Sequence, residues 1–335
     1  MSEFKTGIYS VVNYKDIDIE TEVLKTVGSE VLHLRSVEEF ERNLPKIDGL
    51  ICDITPITAE RISLMRKCRI IVRHGMGVEN INIPAATAKG IIVCNVPAFN
   101  LEEVSDHALA CALSLVRKLP HYTWRVTRDK SWKLEDFPPT DQFQELILGI
   151  LGFGQIGQIL ARKSKSLFGD VIVYDPFINR QKSEEIGVKV IEDMDDVFRT
   201  ADVVSIHVPL NDKTRYFVDI RKLKLMKPTA NIINTSRGGL VNLDDLSYAL
   251  QHGIIAGAAL DVVEGEPIPD MTHPIFDEPG CLITPHTAWY SNSSLKKLRI
   301  IAAEEVRDVY LGKRPVGQLN AIEKNQWKGK GKVDR

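Results

Sequence analysis

The chain has 335 residues, enough for two domains that each bury a core. Its 43 basic and 45 acidic residues leave a net charge of −2, so no global field draws it to nucleic acid or to a membrane surface. No apolar run approaches the roughly 20 residues of a membrane helix, and the N-terminus lacks the apolar core of a signal peptide. Five scattered cysteines imply neither a disulfide framework nor a metal site; free thiols in a reducing cytoplasm are the expectation. Strand-like runs at 6–12, 29–36, 49–54, 69–74 and 90–96 alternate with helical patterns at 19–27, 37–44, 59–67 and 83–89. This alternation predicts a parallel α/β sheet. A helix over 101–119, apolar on nearly all sides, predicts a buried connector between two domains.

The stretch that follows, ELILGILGFGQIGQILARKSKSLFGDVIVYD, carries the most information. An apolar run over 146–151 reads as a fully buried strand. It stops at Gly152-Phe153-Gly154-Gln155-Ile156-Gly157, a helical pattern follows, and a second strand over 171–174 ends at Asp175. Gly152 permits the tight turn, Gly154 lets a pyrophosphate approach the backbone, and Gly157 lets helix and strand pack closely. The free N–H groups and dipole of the helix N-terminus favour the pyrophosphate charge. An acid closing the second strand accepts hydrogen bonds from ribose hydroxyls. The unit predicts a nicotinamide or flavin dinucleotide as cofactor.

Strands at 188–191, 202–208, 230–236, 255–261 and 281–286 continue the alternation, and a last helix over 293–311 would return the chain to the first domain. Arg237 follows the strand at 230–236, Glu266 the strand at 255–261, and His286 closes the last one. In open parallel sheets, ligands bind beyond the carboxyl ends of strands, so three loops deliver a guanidinium, a carboxylate and an imidazole to one region. Those groups suit reduction of a 2-oxo acid. Arginine holds the carboxylate with two parallel hydrogen bonds, and histidine passes a proton to or from the carbonyl oxygen. A carboxylate beside that histidine favours the imidazolium and orients it. The basic segment after Asn320, ending WKGKGKVDR, reads as frayed.

Several stretches resemble the D-2-hydroxyacid dehydrogenase family across residues 40–320: RHGMGVENINIPAATAKGIIVCNVP, VSDHALACALSLVRKLP, LGILGFGQIGQ with YDP, VVSIHVPLNDKT, IINTSRGGLVN, GAALDVVEGEP and TPHTAWYS. The last of these, with CNVP and YDP, is most similar to the branch of the C-terminal binding proteins, dehydrogenase-folded corepressors. The resemblance implies two Rossmann or flavodoxin-like α/β domains with parallel sheets and an active site in the cleft between them. It implies a substrate-binding domain over 1–102 and 296–325, an NAD-binding domain over 103–295, and a flexible tail over 326–335. Arg237, Glu266 and His286 match the catalytic residues, and Asp175 matches the ribose acid. Gln155-Ile156 match the pyrophosphate contact, Thr235 and Asp261 the nicotinamide end, and Val208 and Thr214 positions flanking the cofactor, with NAD as the cofactor implied. Gly75-Met76-Gly77 match the substrate-carboxylate loop of the other domain. Relatives pair as homodimers through the helix and arm at 101–140. Trp289, three residues beyond His286, is expected to flank the side chain of the substrate. Ser105 and Asp106 before His107, and Glu79, depart from the family pattern without touching the proposed chemistry. The alternative reading is an NAD(H)-sensing scaffold that binds protein partners.

Overall fold

The computed structural model describes residues 4–10, 16–266 and 270–322, with the Asp136 side chain left aside. Of the segment after Asn320 expected to be frayed, Ala321 and Ile322 are described, Ile322 being buried, and the rest falls outside the described residues. The chain divides into two compact units, Met1–Phe99 with Ser291–Arg335, and Asn100–Tyr290. Among the described residues, no helix is long and apolar enough to cross a membrane.

The first unit holds five parallel strands: β1 (Phe4–Tyr9), β2 (Ser29–Leu34), β3 (Gly49–Cys52), β4 (Ile70–Arg73) and β5 (Ile92–Cys94). Their order is β2-β1-β3-β4-β5, the flavodoxin-like arrangement. β3 and β5 are buried along their whole length, as strands covered on both faces must be. The helix Asn292–Tyr310, begun by a Ser291–Ser294 capping box, packs on the helix Asp18–Lys25 and on β3 and β4. Its Arg299 is buried against Glu20 with two bonds of 2.7 and 2.6 Å. Tyr310 lies over Gly49, where a Cβ would stand 2.6 Å from the phenol oxygen. Beyond that helix, Leu319 N–H donates to Val93 and Asn95 N–H to Gly317, which seals the β5 edge with an antiparallel segment.

His74, directly after β4, is 4% exposed, and burial pushes its pKa down to about 3. Asp53 opposes that shift, while Arg299 and Arg73 add to it. The folded state therefore keeps His74 neutral where the unfolded chain binds a proton. Stability from this group is complete above about pH 6.5 and is lost as pH falls toward 3, by up to about 1.4 kcal/mol per pH unit. His74→Asn is expected to flatten the fall of melting temperature between pH 7 and 4. An equal slope in the variant would assign the acid sensitivity to other groups.

The second unit holds seven parallel strands: β6 (Ile147–Leu151), β7 (Asp170–Tyr174), β8 (Lys189–Val190), β9 (Val203–Ile206), β10 (Asn231–Asn234), β11 (Gly257–Leu260) and β12 (Cys281–Ile283). The order β12-β11-β10-β9-β6-β7-β8 is the dinucleotide-binding topology with one added strand, and it reverses between β6 and β9. The helix expected over 101–119 ends at Val116. Lys118 then turns through the left-handed region (φ 52°) and a separate helix runs from Leu119 to Thr127. Pro120 explains the break: its ring would meet the carbonyl of residue 116 in a continuous helix, yet it suits the first turn of a new one. The helix Leu101–Val116 lies inside the second unit, on the helix Gln155–Ser164 and on β10 and β11, rather than forming a connector.

Candidate active site

The carboxyl ends of six neighbouring strands place the candidate residues in a row. Reading across the sheet, His286 follows β12, Glu266 β11, Thr235 and Arg237 β10, Val208 β9, the glycine turn β6, and Asp175 β7. Parallel strands lie about 4.8 Å apart, so the loops after β10, β11 and β12 start within about 10 Å of one another.

The cofactor end shows why glycines occupy the turn. Gly152 has φ 95°, and a Cβ there would stand 2.4 Å from the His207 carbonyl oxygen. A Cβ on Gly157 would stand 2.2 Å from Gly152 O, so helix and strand could not approach as they do. Gly154 caps the helix Gln155–Ser164, and a Cβ on it would meet nothing within 4 Å. The requirement at Gly154 is thus space beside the N–H groups of Gln155 and Ile156, which fits a pyrophosphate. Asp175 accepts from Phe153 N–H through Oδ2 (2.7 Å) and from Phe177 N–H through Oδ1 (2.8 Å). Both bonds hold the carboxylate still, and each oxygen keeps a lone pair for a ribose hydroxyl. Thr235 is buried and its Oγ1 has no hydrogen-bond partner among the described residues. A buried orphan hydroxyl at the end of β10 fits a ligand amide that completes it. Val208 is half-buried beside the switch point, whereas the Thr214 hydroxyl is engaged locally, donating to Pro209 O (2.7 Å) and accepting from Asn211 N–H (2.8 Å).

At the reacting end, His286 Nδ1 lies 2.5 Å from Glu266 Oε2. The other carboxylate oxygen of Glu266 accepts from Val263 N–H at 2.8 Å, which fixes the acid before it fixes the imidazole. Arg237 is half-buried, and its neighbour Gly238 lies against the next loop. A Cβ on Gly238 would stand 2.2 Å from Val263 C and 2.4 Å from Glu264 N, so the arginine and glutamate loops are in backbone contact. Trp289 is half-buried and meets the exposed Tyr290 edge-on, with ring centroids 5.2 Å apart. Gly75, Met76 and Gly77 belong to the first unit, where Val96 N–H donates to Gly75 O and Asn95 Nδ2 to Met76 O.

Asp261 is the residue whose weight the sequence least reveals. It is 2% exposed and accepts from Thr284 Oγ1 (2.6 Å), Thr287 N–H (2.8 Å) and Ala288 N–H (2.9 Å). Its carboxylate therefore organises the loop that carries His286. An acid directly after a buried strand is a readable signal, while its three partners, all more than 20 residues away, are not. His107 and Thr284 lie in stretches that carry the family resemblance, but their bond to each other at 3.0 Å is visible only in the fold.

The seven-strand sheet has the dinucleotide-binding topology, and an imidazole–carboxylate pair and an arginine follow its strands β12, β11 and β10. Residues 109–288 match the NAD-binding domain of the D-isomer specific 2-hydroxyacid dehydrogenases, and the chain belongs to that family. It is similar to the D-3-phosphoglycerate dehydrogenase of Synechocystis, 34% identical over 270 residues, which are 80% of this chain and 48% of the relative. The D-3-phosphoglycerate dehydrogenase of Methanocaldococcus jannaschii is 33% identical over 300 residues, 89% of this chain and 56% of that one. The chain thus spans about half the length of these curated relatives. Among solved structures, the D-lactate dehydrogenase of Aquifex aeolicus, complexed with NAD and lactic acid, superposes with a TM-score of 0.78 at 26% identity, covering 91% of this chain and 96% of that one. These matches reach the family and do not single out its corepressor branch.

Proposed function

We propose that the protein is an NAD-dependent D-2-hydroxyacid dehydrogenase interconverting a 2-oxo acid and the D-2-hydroxy acid. The observation that carries this reading is the His286–Glu266 pair, 2.5 Å apart, one strand spacing from the loop of Arg237. Bound NADH supplies the hydride. Glu266, an acceptor at Nδ1, orients the ring and leaves Nε2 to give its proton to the substrate oxygen. Arg237 holds the carboxylate and keeps the carbonyl carbon in place. Thr235 and the glycine turn hold the cofactor, and Asp175 selects its ribose. The reading extends to a cytoplasmic homodimer, a setting in which the free cysteines, four of them buried, would stay reduced. The test is turnover of a panel of 2-oxo acids with NADH, with chiral analysis of the product. A D-hydroxy acid supports the reading; an L product, or none from any acid, refutes it.

Trp289 is proposed to flank the substrate side chain and to favour a medium apolar or thioether tail, each well-placed methylene contributing about 1–3 kcal/mol. Trp289→Ala is expected to lower kcat/KM for such acids while sparing pyruvate and glyoxylate. Equal losses across short and long acids would make Trp289 a packing residue.

A further inference from the structure

Five hydrogen bonds wrap the segment 284–288 around Asp261: four to its carboxylate, from the Thr284 hydroxyl, the Thr287 N–H and hydroxyl and the Ala288 N–H, and one from His286 N–H to its carbonyl oxygen at 2.8 Å. Within that wrap His286 takes φ 54°, a left-handed conformation that histidine tolerates only when its surroundings fix it. The Thr284 hydroxyl has one proton, and the acceptor-only carboxylate of Asp261 takes it. His107 Nε2, 3.0 Å from the same hydroxyl oxygen, must then be the donor, which fixes its ring with a proton on Nε2. The ring also stands 3.7 Å from Asp261 Oδ1, over the oxygen around which the loop turns. His107 projects from the helix Leu101–Val116, whose Ala108, Cys111 and Ala112 are buried in the core under the sheet. That helix is a rigid mount, and its imidazole reaches a loop 177 residues further along the chain.

We infer that His107 is a positioning residue for His286, acting through Thr284 and Asp261; this inference rests on the function proposed above. The two ends of the acid–base unit are then held from different elements. Glu266 fixes the ring at Nδ1, and the relay from His107 fixes the backbone from which the ring projects. Without His107 the Thr284 hydroxyl loses its donor, and the loop keeps its fold while the reacting nitrogen is placed less well.

His107→Ala and Thr284→Val are each expected to lower kcat for reduction about tenfold, since small misplacements of reacting groups weaken catalysis more than binding. KM for the acid should stay within about twofold, the mark of an interaction that matters in the transition state. The double variant should be no worse than the poorer single one, because both changes cut one relay. His107→Gln, whose amide nitrogen can replace Nε2–H, should regain most of the rate. An unchanged kcat in His107→Ala, or a loss that glutamine leaves unrepaired beside a lower melting temperature, would reduce His107 to a packing role. A readout independent of turnover is the His286 ring signal in ¹H–¹⁵N spectra, identified by its absence in His286→Asn. It should shift or broaden in His107→Ala and return in His107→Gln. If no acid is reduced by the natural protein, the proposed function fails while these spectra still decide the relay, and an unmoved His286 signal overturns it.

Discussion

His286→Ala is expected to lower kcat/KM for reduction at least about a hundredfold at every pH, because it removes the proposed proton donor to the carbonyl oxygen. The geometry makes the loss specific. Nδ1 is engaged by Glu266 at 2.5 Å, Glu266 is itself held by Val263 N–H, and the backbone of His286 is tied to Asp261. A ring held at Nδ1, on a side chain that remains 42% exposed, does little for the fold that alanine would undo. The melting temperature should therefore move little while turnover collapses. Glu266→Gln keeps an acceptor at Nδ1 and removes the charge, so its loss should be smaller, about tenfold. Steady-state rates and thermal melts on the three proteins check this ranking. Comparable rates in His286→Ala and the natural protein would remove the histidine from the chemistry.

NADH is expected to exceed NADPH by about a hundredfold or more in kcat/KM, a preference that comes from repulsion built into the site. The 2′-phosphate brings close to two negative charges to the ribose edge, where Asp175 stands. That carboxylate is pinned by the N–H groups of Phe153 and Phe177 and cannot swing aside to admit the phosphate. The next basic residue, Arg180, is paired with Glu192 at 2.6 Å. Asp175→Ala should lower the NADH rate and narrow the preference to within about tenfold. Equal rates with the two cofactors in the natural protein would contradict this role for Asp175.

The parallel sheets were legible because their strands are continuous apolar runs, as at 147–151 and 203–206, bounded by glycine, proline or acid. Local turn chemistry announced the dinucleotide unit, and positions just past strand ends announced Arg237, Glu266 and His286. What escaped depends on partners remote in sequence. The break after Val116 was signalled by Pro120, but the apolar periodicity on both sides concealed it. The resemblance puts Asp261 at the nicotinamide end, but nothing in the sequence says that Thr284, Thr287 and Ala288 close on it. His107 sits on a helix legible in the sequence for its burial and its family resemblance, while its bond to Thr284 is a fact of packing.

In the proposed reaction, hydride passes between the nicotinamide and C2 of a 2-oxo acid under His286 and Arg237. The most direct test is incubation with NADH deuterated at the transferring position of C4, followed by mass and chiral analysis of the hydroxy acid. One deuterium at C2 of a D-2-hydroxy acid is expected, formed by the natural protein and lost in Arg237→Ala. A protein that binds NADH yet labels no acid in the panel, or one that labels the L product, would contradict it.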